Sequence, residues 1–249
     1  MARTAVQRRL TWQLATVDAV TDETPRVRTL TLGVPGWPDH LSGQHLDVRL
    51  TADDGYQAER EYSVASAPGE PVAITVERLD DGEVSPYLTQ QLQARDEIEI
   101  RGPVGGYFVW RPEDGGPLLL IAGGSGVVPL RAMLRHRLRS ASTVPARLIY
   151  SARTRTDVIY SSELMQLEKG VNVDIIVTLT RERPPGWTGR TGRVDEALLR
   201  ELAWPASQQP LAYICGPTAF AEAVSGTLVS LGYPPQRVKI ERFGGTGGP

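Results

Sequence analysis

Between Arg26 and Arg101 apolar and polar residues alternate in short runs: Arg26 to Leu32, His45 to Leu50, Ala73 to Arg78 and Glu97 to Arg101. That is the period-two pattern of strands with one buried face. Valine, isoleucine, leucine and threonine supply the apolar positions, and turn residues separate the runs. Several strands at such short spacing predict a small antiparallel β-barrel. One helical insertion, Val84 to Gln93, precedes the last of them, with Ser85 placed to open it.

The Pro/Gly/acidic stretch from Pro112 to Pro117 breaks the pattern and reads as a linker. Beyond it, Leu118 to Ala122 is a continuous apolar run that ends in glycines and leads into a helical pattern, Leu130 to Arg139. The same rhythm recurs as Arg147 to Tyr150 with Asp157 to Leu167, Val173 to Leu179 with Asp195 to Leu202, and Ala212 to Cys215 with Thr218 to Leu231. A last strand, Val238 to Arg242, closes the series. Wholly apolar strands alternating with helices predict a parallel sheet covered on both faces. The expected organisation is therefore an N-terminal barrel domain over residues 9–111 and a C-terminal α/β domain over residues 117–249.

Composition narrows the function. With 41% hydrophobic residues in 249, the chain can bury two modest cores. A formal charge of -2, from 27 basic and 29 acidic residues, carries no polyelectrolyte signal and argues against nucleic acid or anionic membrane as main partners. The single cysteine, Cys215, excludes an internal disulfide and a four-thiolate iron–sulfur cluster within the chain. His40, His45 and His136 are scattered without ligand spacing, so no protein-built metal site is expected. The basic segment Met1 to Leu10 has no long apolar run, and no stretch reaches the ~20 apolar residues of a membrane span. The expectation is a soluble cytoplasmic protein.

Five short elements could carry chemistry. In Arg60-Glu61-Tyr62-Ser63 an extended backbone puts Arg60 and Tyr62 on one face, so a diphosphate and an attached ring could be held together. Glu77-Arg78, then Gly82 and Val84-Ser85, deliver a serine to a helix start, where free N–H groups favour anions. Gly105-Gly106, ahead of Tyr107 and Phe108, permits close backbone approach. Gly123-Gly124-Ser125-Gly126 lies between an apolar strand and a helix, the context of a dinucleotide loop, although its spacing departs from Gly-x-Gly-x-x-Gly. Cys215-Gly216-Pro217-Thr218 falls at the carboxyl edge of the same sheet. Each has a plainer alternative, in order a surface strand, a serine-capped turn, a tight turn, a random glycine turn and a buried small cysteine.

In this order and spacing the elements resemble the ferredoxin–NADP+ reductase family of flavoproteins, from about Arg9 to Gly244. The resemblance implies an antiparallel flavin-binding barrel followed by a nucleotide-binding α/β domain with a parallel sheet. It also implies FAD as cofactor and NADP, with NAD less favoured, as the nucleotide. On this chain it assigns Arg60 to the flavin pyrophosphate, Tyr62 to a ring face and Ser63 to flavin N5. Glu77, Arg78, Val84 and Ser85 complete the phosphate seat, with Gly105 and Gly106 beside it. Gly124, Ser125 and Gly126 take the dinucleotide phosphates, and Cys215, Gly216 and Pro217 lie near the nicotinamide. Glu241 matches the family's terminal glutamate and Phe243 its flavin-covering aromatic, although here Gly244 to Pro249 follow. Ser63, Cys215 and Glu241 are the implied catalytic group. Thr180, Arg181 and Arg190 resemble the residues that hold the 2'-phosphate in NADP-using members, with the adjacent Glu182 as the option for NAD. The implied activity is an NAD(P)H-dependent reductase that passes electrons to a separate ferredoxin, flavodoxin or oxygenase. The rivals are a free-flavin or quinone reductase and a non-catalytic regulatory flavoprotein.

Overall fold

The structure, a computed structural model, describes residues 10–243. Gly244 to Pro249, and all of the opening segment except Leu10, lie outside the described residues. Six strands build the first sheet: β1 (Gln13–Thr24), β2 (Val27–Gly33), β3 (His45–Thr51), β4 (Gln57–Ser63), β5 (Val72–Glu77) and β6 (Glu97–Val104). Every pairing is antiparallel, in the order β4-β3-β6-β1-β2-β5. The edge strands β4 and β5 meet at a single bridge between Val64 and Ile74, reinforced by the Ala65 N–H donating to Ala73 O at 2.7 Å. The barrel is therefore seamed rather than continuously laddered, and its open seam faces the second domain.

β1 is absent from the expected strands because two register shifts, between Val17 and Ala19 and between Asp22 and Thr24, break its period-two pattern. Ala15 and Val17 are nonetheless fully buried. The insertion is shorter than expected: Ser85 and Pro86 open a helical turn that continues with π-type bonding over Tyr87–Gln91. Its Val84 and Leu88, with the following Leu92, join Leu30, Leu46, Ile74 and Ile100 in the barrel core. Truncating a leucine so placed costs about 2–5 kcal/mol.

The second sheet is parallel: β7 (Leu118–Gly123), β8 (Ala146–Ala152), β9 (Val173–Leu179), the two-residue β10 (Arg190–Thr191), β11 (Leu211–Pro217) and β12 (Val238–Phe243). Its order is β10-β9-β8-β7-β11-β12. The central β7 is buried throughout, with Leu118, Leu120 and Ala122 in one core and Leu119 and Ile121 in the other. This two-sided burial explains its unbroken apolar run. Helices α1 (Val127–Arg139), α2 (Ser161–Leu167), α3 (Glu196–Leu202) and α4 (Thr218–Ser230) cover the faces. α3 is capped by Asp195, whose carboxylate accepts from the Leu198 N–H at 2.9 Å. α2 starts four residues later than expected because Tyr160 takes a left-handed conformation, φ 59°, which breaks the helical path from Asp157.

Candidate functional site

The carboxyl ends of the parallel strands face the barrel seam across a cleft of about 1010 Å³, at the upper end of the range for small-molecule sites. Residues of both domains line it. Switch-point crevices at this end of an open α/β sheet are where ligands bind, because strand ends and helix starts converge there.

β4 brings three of the expected residues to this cleft, Arg60, Tyr62 and Ser63. Tyr62 packs on the barrel core, and burial pushes its phenol well up, against a smaller opposing effect of Arg60. Arg60 is half exposed and already engaged: Nη2 donates to Glu83 Oε2 at 2.6 Å and Nη1 to the Glu59 carbonyl at 2.7 Å. Glu83 also accepts from the Tyr56 hydroxyl at 2.8 Å. Val84 and Ser85 line the cleft beside it, although the Ser85 hydroxyl is taken up by the Leu79 N–H at 3.0 Å.

Ser63 reaches across the seam. Its hydroxyl donates to Glu241 Oε1 on β12 at 2.8 Å. Burial raises the Glu241 carboxyl to about 7, Glu61 adds to the rise and the Ser63 hydrogen bond opposes it. Glu241 stands in register with Cys215 on β11, so the three residues of the expected catalytic group do come together. Cys215 is nevertheless fully buried in the sheet core, and burial, followed by the nearby Glu241, pushes its thiol well above the ordinary value. A protonated thiol without access is no nucleophile.

The two glycine clusters behave differently. Gly124, at φ +57°, and Ser125 line the cleft, and a Cβ at Gly124 would meet nothing nearer than Glu77 Oε2 at 4.0 Å. Gly126 does not line it; a Cβ there would fall 2.0 Å from the Cys215 carbonyl oxygen. Its function is backbone packing of the α1 start on β11. Gly216 similarly packs against Phe220 and Gly123, while Pro217 and Phe243 line the cleft. Gly105 and Gly106 lie outside the lining: the Gly105 carbonyl accepts from Gln44 Nε2 at 2.7 Å, and open space surrounds the Gly106 Cβ direction.

Arg78 corrects the phosphate-seat expectation. Glu77, the last residue of β5, lines the cleft, whereas Arg78 beyond it lies 3.2 Å from Asp80 and lines a separate groove with Arg26 and Arg28. In the 180–192 loop only Thr180 lines the cleft. Arg181 is exposed, and Arg190 is forked onto Glu201 of α3, one contact at 3.0 Å, so the expected 2'-phosphate trio is not gathered. Arg153 and Phe220 line the cleft unforeseen. The position of Arg153 just beyond β8, at the carboxyl edge, was the available signal. His45 and Asp47 of β3 and Glu61 of the paired β4 also converge, with ligand-type atoms within 4.8 Å, but Asp47 is bound to Arg101 at 2.6 Å.

Comparison with known proteins agrees with this geometry. Residues 14–109 match the oxidoreductase FAD-binding domain family and residues 120–226 the oxidoreductase NAD-binding domain family. The ferredoxin–NADP reductase B of Sorangium cellulosum is 35% identical over 210 residues, covering 81% of this chain and 84% of that protein. The chain belongs to the ferredoxin–NADP+ reductase-like family. This family member is also 34% identical over 210 residues to the glycine betaine monooxygenase reductase subunit of Chromohalobacter salexigens, covering 82% of the chain but 56% of that protein. It thus spans little more than half the length of that relative. Among solved structures, the FAD/NAD-binding domain of the Vibrio cholerae nitric oxide dioxygenase superposes with a TM-score of 0.83 at 25% identity, over 93% of this chain and 98% of that one.

The residues present fit the two cofactors of the family. A half-buried aromatic face, a guanidinium two residues before it and a glycine turn open to the cleft suit a ring, a diphosphate and a second dinucleotide.

Proposed function

We propose that the protein passes electrons from NADPH through bound FAD to a separate electron carrier, a ferredoxin, flavodoxin or oxygenase. The observation that carries this reading is the Ser63–Glu241 contact, which brings the flavin-side strand and the last strand of the nucleotide-side sheet to one point. When bound, FAD supplies the conversion of a two-electron donor into single-electron steps.

The chain supplies binding, orientation and proton control. Arg60, with the turn at Val84 and Ser85, holds the diphosphate, and Tyr62 and Phe243 flank the ring. Gly124 and Ser125 receive the nucleotide phosphates. Ser63 and Glu241 form a proton-holding pair beside the ring edge, and a carboxyl near 7 can donate or accept at neutral pH. Cys215 acts through shape: with Gly126 and Gly216 it sets the floor under the nicotinamide. Preference for NADPH rests on Thr180 and Arg181, with Arg153 at the same edge; Arg190, held by Glu201, takes no part. Among the described residues no helix is long and apolar enough to cross a membrane. A cytoplasmic site of action belongs to the same reading and is supported by the lone unpaired cysteine.

One observation favours a second reading, a reductase that uses flavin as an exchangeable substrate. Glu83 occupies the guanidinium that a diphosphate would take. A single experiment separates the two. The purified protein is desalted, its flavin absorbance recorded, and NADPH and then NADH are added without oxygen. Retained flavin bleached first by NADPH supports the main reading; a colourless protein that bleaches added flavin supports the second, and no bleaching by either nucleotide overturns both.

A further inference from the structure

Helix α1 leaves directly from the Gly124–Gly126 turn and carries arginines at 131, 135 and 139. Spacing of four places them on one stripe. The stripe faces the 64–71 loop, which connects β4 to β5 and begins at the residue after Ser63. Arg131 Nη1 donates to the Ala65 carbonyl at 3.0 Å, two residues from Ser63, while its Nε reaches Glu163 of α2 at 2.9 Å. Its guanidinium lies 4.4 Å from the ring centroid of Tyr160, whose hydroxyl bonds Thr75 on β5. Arg135 forks onto Glu70 of the loop, with Nη2 at 2.7 Å and Nε at 3.0 Å, and its Nη1 reaches Glu163 at 2.7 Å. Arg139 stands 3.6 Å from Glu70.

The cluster is dry at its centre and open at its rim, where the Glu163 and Arg135 side chains are 25% and 32% exposed and Arg139 is half exposed. The side chains of Arg131 and Glu70 are 10% and 11% exposed. Burial alone would push the Glu70 carboxyl up, yet Arg135 and the Ala67 N–H hold it below its ordinary value. A desolvated ionic cluster tolerates little displacement, because a partner moved away leaves a buried charge unmatched. One end of the clamp is the helix that starts at the nucleotide turn, and the other is the loop that starts at Ser63.

Resting on the function proposed above, we infer that the Arg131–Arg135–Arg139 stripe and Glu70 form a gauge that sets the separation between the flavin edge at Ser63 and the nucleotide turn at Gly124–Gly126. Arg135 and Glu70 are thus positioning residues for flavin reduction, without touching either cofactor. Misplacement of reacting groups by about 1 Å lowers a rate by about a hundredfold, and a loosened clamp samples smaller errors.

The test compares the wild-type protein with Glu70→Gln, Arg135→Met, Arg135→Lys and the Glu70→Gln/Arg135→Met pair. Flavin content and NADPH affinity are expected to stay within about twofold, while rapid mixing at saturating NADPH shows flavin bleaching slowed about tenfold in Glu70→Gln and Arg135→Met. The pair should be no slower than the slower single variant by more than about twofold, since each change breaks the same clamp. Arg135→Lys should recover only part of the lost rate, because one ammonium keeps the charge but cannot reproduce the fork onto Glu70 together with the contact to Glu163. In the flavin-free proteins, amide hydrogen exchange over residues 65–71 should quicken in Glu70→Gln and Arg135→Met while that of β7 does not change. Full bleaching rates despite faster exchange would mean the cluster only braces the seam, and the gauge is overturned; so do unchanged exchange or a pair whose losses multiply to about a hundredfold. A wild-type protein bleached by neither nucleotide overturns the functional reading together with the gauge.

Discussion

The two sides of the cleft organise their candidate site residues in opposite ways. On the barrel side, Arg60, Tyr62 and Ser63 are carried by β4, a strand paired along its length with β3, so backbone hydrogen bonds fix where each side chain emerges. On the nucleotide side, Thr180 and Arg181 sit on the connection after β9, and Arg190 opens the two-residue edge strand β10 that ends it, its side chain drawn to Glu201 on a neighbouring helix. A strand delivers residues by periodicity, whereas a loop delivers them by whichever partner its side chains find. The comparison predicts that changes on the rigid side are severe and those on the loop are graded.

The largest effect is expected where backbone meets backbone. Gly126→Ala would place a methyl group 2.0 Å from the Cys215 carbonyl, and neither segment is free to yield. Overpacking of this kind costs about 3 kcal/mol or more, and thermal unfolding should show a large fall in Tm. An unchanged Tm would show that the turn is as adaptable as the loop.

Next is the pH response of Glu241. Its folded-state value of about 7 lies above the ordinary 4.5, so the folded protein holds this proton more tightly than the unfolded chain does. The associated stability is full below about 4.5 and fades as pH rises through 7, by at most about 3 kcal/mol. Denaturant titrations of the flavin-free protein from pH 4.5 to 8 should show this slope, and Glu241→Gln should flatten it. A slope that survives the substitution assigns the titration to another group.

Arg60→Ala follows. A charge-assisted contact to a diphosphate contributes about 1.5–3 kcal/mol, so flavin should bind roughly tenfold to a hundredfold more weakly, measured by quenching of flavin fluorescence. Flavin copurifying in full amount would return Arg60 to an ordinary partner of Glu83.

The loop should respond least. Arg181→Ala is expected to raise KM for NADPH about tenfold and leave that for NADH unchanged, erasing the discrimination. Arg190→Ala, which breaks only an exposed pair, should change both by less than about twofold and stability by less than about 1 kcal/mol. A strong effect of Arg190→Ala on NADPH alone would mean that the loop reorganises when nucleotide binds.

Pattern made the architecture legible. Alternation identified four barrel strands and continuous apolar runs identified the parallel core, with Val173–Leu179 matched end to end. The same alternation placed Arg60 and Tyr62 on one face. Arg78, one residue past the end of β5, is instead drawn to Asp80, a partner that alternation does not show. β1 escaped because its bulges break the period.

Sequence alone determined the properties that depend on neighbours along the chain: strand faces, helix starts such as Asp195, the single thiol and the positions of the glycine turns. Tertiary structure decided everything that depends on partners far away. It joined Ser63 to Glu241 across 178 positions, buried Cys215, gave Gly126 to packing and Arg190 to Glu201, and wrapped the α1 arginines around Glu70. The reason is physical: periodicity fixes a side chain's direction, but its solvation and its ionic partner are set by what the fold places opposite, and short-range pattern carries no information about that.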